Sequence, residues 1–134
     1  MSLQNQIDQF LAGKRFAVVG ASQNREKYGN KVLRTCLQNK LEVVPINPMA
    51  DEVEGLPTSP NLSSLPIPVD GISVITPPKI TEHVVKEALD LGIKNIWLQP
   101  GAESQAAVEL AEQAGVNLIS GGPCLLLVLK YRGE

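Results

Sequence analysis

The chain has 134 residues, enough for one globular domain and too few for two ordinary ones. Hydrophobic residues make up 43% and charged residues 19%, which excludes intrinsic disorder and collagen-like repetition and supplies a core without disulfide staples. Twelve basic against fourteen acidic side chains leave a net charge of −2, which speaks against a general nucleic-acid or anionic-membrane binder.

Residues 1–13 carry Asp8 and no apolar core, so they do not read as a signal peptide. Leu3, Ile7, Phe10 and Leu11 share one face and predict an amphipathic helix over Leu3–Leu11, packed on the domain. Five short runs rich in Val and Ile follow: Phe16–Gly20, Val43–Asn47, Ile72–Thr76, Ile96–Gln99 and Val116–Ser120. Between most of them the period becomes helical. Val32, Leu33, Cys36 and Leu37 mark a helix from about Asn30 to Asn39, and Val84, Val85, Ala88 and Leu89 one over Thr81–Leu91, stopped by Gly92. Ala106, Ala107, Leu110, Ala111 and Ala114 form a third stripe, closed by Gly115.

Continuously apolar strands separated by helices predict a doubly wound α/β fold, a five-stranded parallel sheet covered on both faces within one domain over residues 1–134. Residues 48–70 interrupt the alternation. Pro48, Pro57, Pro60, Pro66 and Pro68 allow no long helix, only a turn around Leu62–Leu65, so that side of the sheet is expected to be partly open or covered by loop. Pro123–Lys130 reads as a short element packed on an edge. The apolar run Leu125–Leu129 falls far short of the roughly 20 residues of a membrane span. With no targeting signal, a cytoplasmic location is expected.

Ligands of open parallel sheets bind beyond the carboxyl ends of the strands, so the loops that follow the strands carry the functional reading. After the first strand, Gly20-Ala21-Ser22 permits a sharp turn, and Gly29-Asn30 opens a helix whose backbone N–H groups suit an anion. Arg25 and Lys27 offer positive charge. The loop is neither G-x-G-x-x-G, because Ser22 replaces the second glycine, nor a Walker loop. After the second strand, Asn47-Pro48 stands where an NAD-binding fold carries a ribose-binding carboxylate. Thr76-Pro77-Pro78 and Gln99-Pro100-Gly101 follow the third and fourth strands, each ahead of a helix start.

No catalytic constellation emerges. His83 falls opposite the apolar stripe of its helix, beside charged residues, and reads as solvated. Cys36 and Trp97 read as core. Cys124 reads as a packed thiol, with an accessible one as the alternative. No His, Cys or carboxylate group has metal-ligand spacing.

Val-Val-Gly-Ala-Ser (18–22), Val-Pro-Ile-Asn-Pro (44–48), Val-Asp-Gly-Ile-Ser-Val-Ile-Thr-Pro-Pro (69–78) and Ile-Trp-Leu-Gln-Pro-Gly-Ala (96–102) resemble the small single-domain CoA-binding proteins. They also resemble the CoA-binding domain of the succinyl-CoA synthetase alpha subunit and of ADP-forming acyl-CoA ligases. The resemblance runs from about Lys14 to Cys124 and implies a Rossmann-like domain holding coenzyme A at the strand ends. In that frame Gly20, Ala21 and Ser22 cradle phosphates, and Asn47 and Pro48 border the nucleotide. Thr76, Pro77 and Pro78 line the middle of the site, and Gln99, Pro100 and Gly101 the far wall. Arg25 and Lys27 are assigned the charge from their loop position alone. Two departures stand out. Met49-Ala50-Asp51 follows the second strand where the synthetases carry a basic residue, and His83 matches no phosphohistidine motif.

The expected function is therefore binding of coenzyme A or acyl-CoA, a small-molecule ligand, without catalysis by this chain alone. The alternatives are an NAD(P)-binding oxidoreductase or redox sensor, and a subunit of a multi-chain acyl-CoA ligase. The residues leave a homodimer or a partner protein open.

Overall fold

A computed structural model describes residues 2–132. The chain opens with helix α1 (Leu3–Leu11), capped by the Ser2 hydroxyl, and strand β1 (Arg15–Val19). Helix α2 (Tyr28–Gln38), strand β2 (Glu42–Ile46) and a small hairpin of β3 (Glu52–Val53) and β4 (Leu56–Pro57) follow. After a 3₁₀ turn (Leu62–Ser64) come β5 (Gly71–Val74), α3 (Pro78–Asp90), β6 (Asn95–Leu98), α4 (Gln105–Gln113), β7 (Asn117–Ile119) and α5 (Leu125–Val128).

Five strands form one parallel sheet in the order β2-β1-β5-β6-β7. The chain leaves β1 toward β2 and later returns to pair β5 on the opposite side. The strand order therefore reverses between β1 and β5, where a crevice opens in doubly wound folds. Alternation along the strands feeds two cores. Ala17, Val19, Ile72, Val74, Ile96 and Leu98 meet Val84, Val85 and Ala88 of α3 and Ala107 and Ala111 of α4. Phe16, Val18, Val43, Trp97 and Ile119 meet Ile7 and Phe10 of α1, Val32, Leu33 and Cys36 of α2, and Leu125 of α5. Both faces are covered, as the unbroken apolar strands require.

The predicted elements are all present, with shifted bounds. Each strand ends before the last residue of its apolar run, because that residue already turns within the loop: Gly20, Asn47 and Gln99 lie just beyond β1, β2 and β6. The proline-rich segment is more ordered than expected. It holds the 3₁₀ turn foreseen near Leu62, but also the β3–β4 hairpin. Ser59 extends the edge of β2, donating from its N–H to the Pro45 carbonyl (3.1 Å) and accepting from Asn47 N–H (3.0 Å). The C-terminal element is not on a sheet edge. It packs beside α2, with Leu125 in the core, Asn39 Nδ2 donating to the Leu129 carbonyl (3.0 Å) and Trp97 Nε1 to the Pro123 carbonyl (3.0 Å).

Phe10 anchors α1. Its ring stacks on Phe16 at 5.2 Å and meets Trp97 edge-on at 5.3 Å. Burial of one such ring is worth about 1.5–3 kcal/mol. Cys36 and Trp97 are core residues and His83 is exposed. Burial pushes the Cys36 thiol up to about 12. Among the described residues no helix is long and apolar enough to cross a membrane.

Candidate functional site

Two glycines set the geometry at the head of β1. Gly20 has φ +98°, and a Cβ on it would stand 1.9 Å from the Ile75 carbonyl oxygen at the end of β5. A Cβ on Gly29 would stand 2.0 Å from the Gly20 carbonyl oxygen. Both contacts are far inside van der Waals range, so only glycine lets the β1 turn, the first turn of α2 and the end of β5 close on one another. That closure brings the α2 N-terminus, with the backbone N–H groups of its first turn, to the switch point of the sheet.

A second layer holds the loop. Asn30 is fully buried and donates from Nδ2 to the Ser22 carbonyl (2.8 Å) and the Glu54 carboxylate (3.1 Å). Its Oδ1 accepts from Arg34 Nε (2.7 Å), and Arg34 Nη2 donates to the Arg25 carbonyl (2.8 Å). The Ser22 hydroxyl accepts from Asn24 N–H (3.1 Å), making a turn within the loop.

A cavity of about 270 Å³ opens between the ends of β1, β2 and β5 on the α3 side. Val19, Gly20, Ala21, Ile46, Asn47, Pro48, Pro60, Asn61, Leu62, Thr76, Ile80, Val84 and Glu87 line it. A larger, shallower depression of about 460 Å³ runs along the outer side of α3 past Ser63, His83, Lys86 and Asp90, away from the strand ends. The deeper of the two is the better site because it sits where three strand ends converge.

The structure brings five of the sequence-assigned residues into this cavity: Gly20, Ala21, Asn47, Pro48 and Thr76. Ser22, Arg25 and Lys27 continue along the adjoining loop, Lys27 as the N-cap of α2. Pro77 and Pro78 are exposed at the start of α3. Thr76 is braced by the buried Thr81 hydroxyl at 2.6 Å.

Asn47 is a structural tie as well as a lining residue. Its Nδ2 donates to the Ala21 carbonyl (2.9 Å), and its Oδ1 accepts from Met49 N–H (2.7 Å) and Ala50 N–H (3.0 Å). These three bonds join the β1 and β2 loops.

The far wall is not assembled as expected. Gln99 is fully buried and lies outside the cavity. It donates to the Ser73 hydroxyl (3.0 Å) and accepts from Leu125 N–H (2.9 Å) and the Tyr28 hydroxyl (3.3 Å), so its amide satisfies the core beneath α2 and α5. Pro100 and Gly101 are exposed and form the turn after β6. Gly101 has φ +93°, and Ala102 N–H closes the turn onto the Gln99 carbonyl (2.9 Å). Period-2 alternation places residue 99 on the same face as Trp97 and away from the cavity, a signal available in the sequence.

Tyr28 also contacts the half-buried Cys124 thiol. Burial foremost, then that contact, raises the phenol above its usual range and keeps it neutral.

Arg34 and Glu54 were not singled out by sequence reasoning, and Asn30 only as a helix opener, without its side-chain role. Asn30 and Arg34 stand four residues apart on one helix turn face, a detectable pair, whereas nothing local to Glu54 reveals its reach.

The parallel order, the switch point and the glycine-hinged loop define a Rossmann-like α/β domain with its candidate site at the strand ends. The family model described as CoA binding domain matches residues 14–130, and the chain belongs to that family. It is 28% identical over 132 residues to acetate–CoA ligase (ADP-forming) I of Archaeoglobus fulgidus, covering 91% of this chain and 19% of that protein. The chain thus spans about a fifth of that ligase's length. It is 26% identical over 106 residues to the uncharacterized protein YneT of Bacillus subtilis, covering 79% of this chain and 78% of that one. A conserved hypothetical protein from Pyrococcus furiosus superposes with a TM-score of 0.81 at 43% identity, covering 86% of this chain and 98% of that one.

Proposed function

We propose that the protein binds coenzyme A, free or acylated, along the carboxyl edge of its sheet and acts without catalysing a reaction on its own. The observation that carries this is the cavity at the β1–β5 switch point in a chain of the CoA-binding-domain family. About 270 Å³, walled mainly by Val19, Ile46, Pro48, Leu62, Ile80 and Val84, takes an apolar or flat part of such a ligand and leaves the rest on the rim. The rim beside it is the Ser22–Asn30 loop and the head of α2, which offers backbone N–H groups, Arg25 and Lys27 to a diphosphate.

Asn47 supports this reading over an NAD(P) site. A dinucleotide fold places a ribose-binding carboxylate there, whereas this chain carries an amide that ties the Ala21 carbonyl to the Met49 and Ala50 N–H groups. A second reading, favoured by the likeness to the acetate–CoA ligase, makes this domain one part of an acyl-CoA ligase whose chemistry needs an ATP-binding partner chain. Acyl-CoA formation only in the presence of that partner would support it.

Calorimetric titration with CoA, acetyl-CoA and NADH tests the proposal. Heat with CoA and none with NADH is expected. Heat with NADH alone would mean that the family likeness reports fold and not ligand. Reversal of the rim charge, Arg25→Glu with Lys27→Glu, is expected to weaken CoA binding about tenfold or more, since charge-assisted hydrogen bonds are worth about 1.5–3 kcal/mol. Unchanged affinity would remove these two residues from the site.

A further inference from the structure

The β3–β4 hairpin joins its strands through Glu54-Gly55, with φ +49° at Glu54 and +80° at Gly55. Two positive φ values across a two-residue loop are the mark of a type I′ turn, where Asn or Gly is favoured at the first position and Glu is strained. The side chain at this strained backbone position is not idle. Its carboxylate accepts from Asn30 Nδ2 (3.1 Å) and lies 3.6 Å from Arg25 Nε. Gln23 Nε2 adds a tie to the Glu52 carbonyl (2.8 Å), so the hairpin is pinned onto the loop between β1 and α2.

We infer that Glu54 is an internal stand-in for a ligand phosphate: a carboxylate that the hairpin lays on the anion-facing loop and that an incoming diphosphate must displace. This inference rests on the proposed diphosphate position at the head of α2. The groups that hold Glu54, a buried amide donor and a guanidinium beside a helix N-terminus, are those that would hold a phosphate oxygen. Displacement returns Arg25 to the ligand and lets residue 54 relax from the left-handed region. Glu54 thereby lowers the affinity of the site for anions and couples anion binding to lifting of the hairpin.

The experiment is calorimetric titration of the wild type, Glu54→Gln and Glu54→Asn with inorganic pyrophosphate, with CoA titrated in parallel. Gln keeps the length and an acceptor for Asn30 while removing the charge; Asn suits the turn. Both variants are expected to bind pyrophosphate about two- to fivefold more tightly than the wild type, the range an exposed ion pair supports. Adenosine, which has no phosphate, is expected to show no difference between the proteins. Equal or weaker pyrophosphate binding in both folded variants overturns the inference, and so does an equal gain with adenosine. A pyrophosphate gain without CoA binding by any of the three proteins would leave the latch standing and overturn the ligand proposed above.

Discussion

Gly29 shows how narrow the margin is at the scale of a residue. Its Cα passes so close to the Gly20 carbonyl that one added methyl, 2.0 Å from that oxygen, must push the α2 start and the β1 turn apart. Gly29→Ala is expected to destabilise the fold by about 1–3 kcal/mol, the range for overpacking, and to be read by denaturant unfolding. Gly92→Ala serves as the contrast: it has open space but a φ of +78°, so it carries only the backbone penalty. Gly29 was legible as a helix opener. That it also sets an interatomic distance was not, because the Gly20 carbonyl it faces is brought there by the fold. Gln99 teaches the reverse. Its Gln-Pro-Gly context drew it toward the ligand, yet three hydrogen bonds hold it in the core. A buried amide hydrogen-bonded in this way is costly to remove whether or not a ligand is bound.

At the scale of elements, the helices and central strands were visible because each buries one periodic face. The β3–β4 hairpin was not. Two residues per strand carry no alternation, and a Glu-Gly turn lacks the Asn-Gly signature of hairpins. Contacts remote in sequence also join elements without any local trace. Asp70, just before β5, accepts from the backbone N–H groups of Lys14 (2.7 Å) and Arg15 (3.0 Å) at the start of β1. The Arg15 bond foremost, then the Lys14 bond, holds the Asp70 carboxyl below its usual range. A depressed carboxyl adds stability above its unfolded value and loses it as the pH falls through the folded one. Asp70→Asn is therefore expected to lower the Tm by a few degrees at neutral pH, with the gap to the wild type closing in acid. Melts at a series of pH values check this, and a gap that stays constant or widens in acid would refute it.

For the whole molecule, the site depends on β1, β2 and β5 meeting at one edge, so ligand and fold should report on each other. A ligand that binds only the folded state at a hundred times its Kd stabilises by about 2.7 kcal/mol, worth roughly 8–12 °C for a chain of this size. Saturating CoA is expected to raise the Tm by that order, and NADH at the same concentration to leave it in place. A rise with NADH instead would transfer the site to dinucleotides.

The amino-acid sequence by itself determined the alternation of apolar strands and helices, the doubly wound class, and the loops that stand at the strand ends, because these follow from local periodicity and turn chemistry. Tertiary structure alone decided which of those loops share a cavity. Gly20, Ala21, Asn47, Pro48 and Thr76 meet because β1 lies between β2 and β5, whereas Pro100 and Gly101, one strand further along the sheet, stay outside. It also laid Glu54 on the β1–α2 loop, through a hairpin too short to announce itself. Periodicity is a property of neighbours in the chain; a site is a property of neighbours in space, and strand order is what converts one into the other.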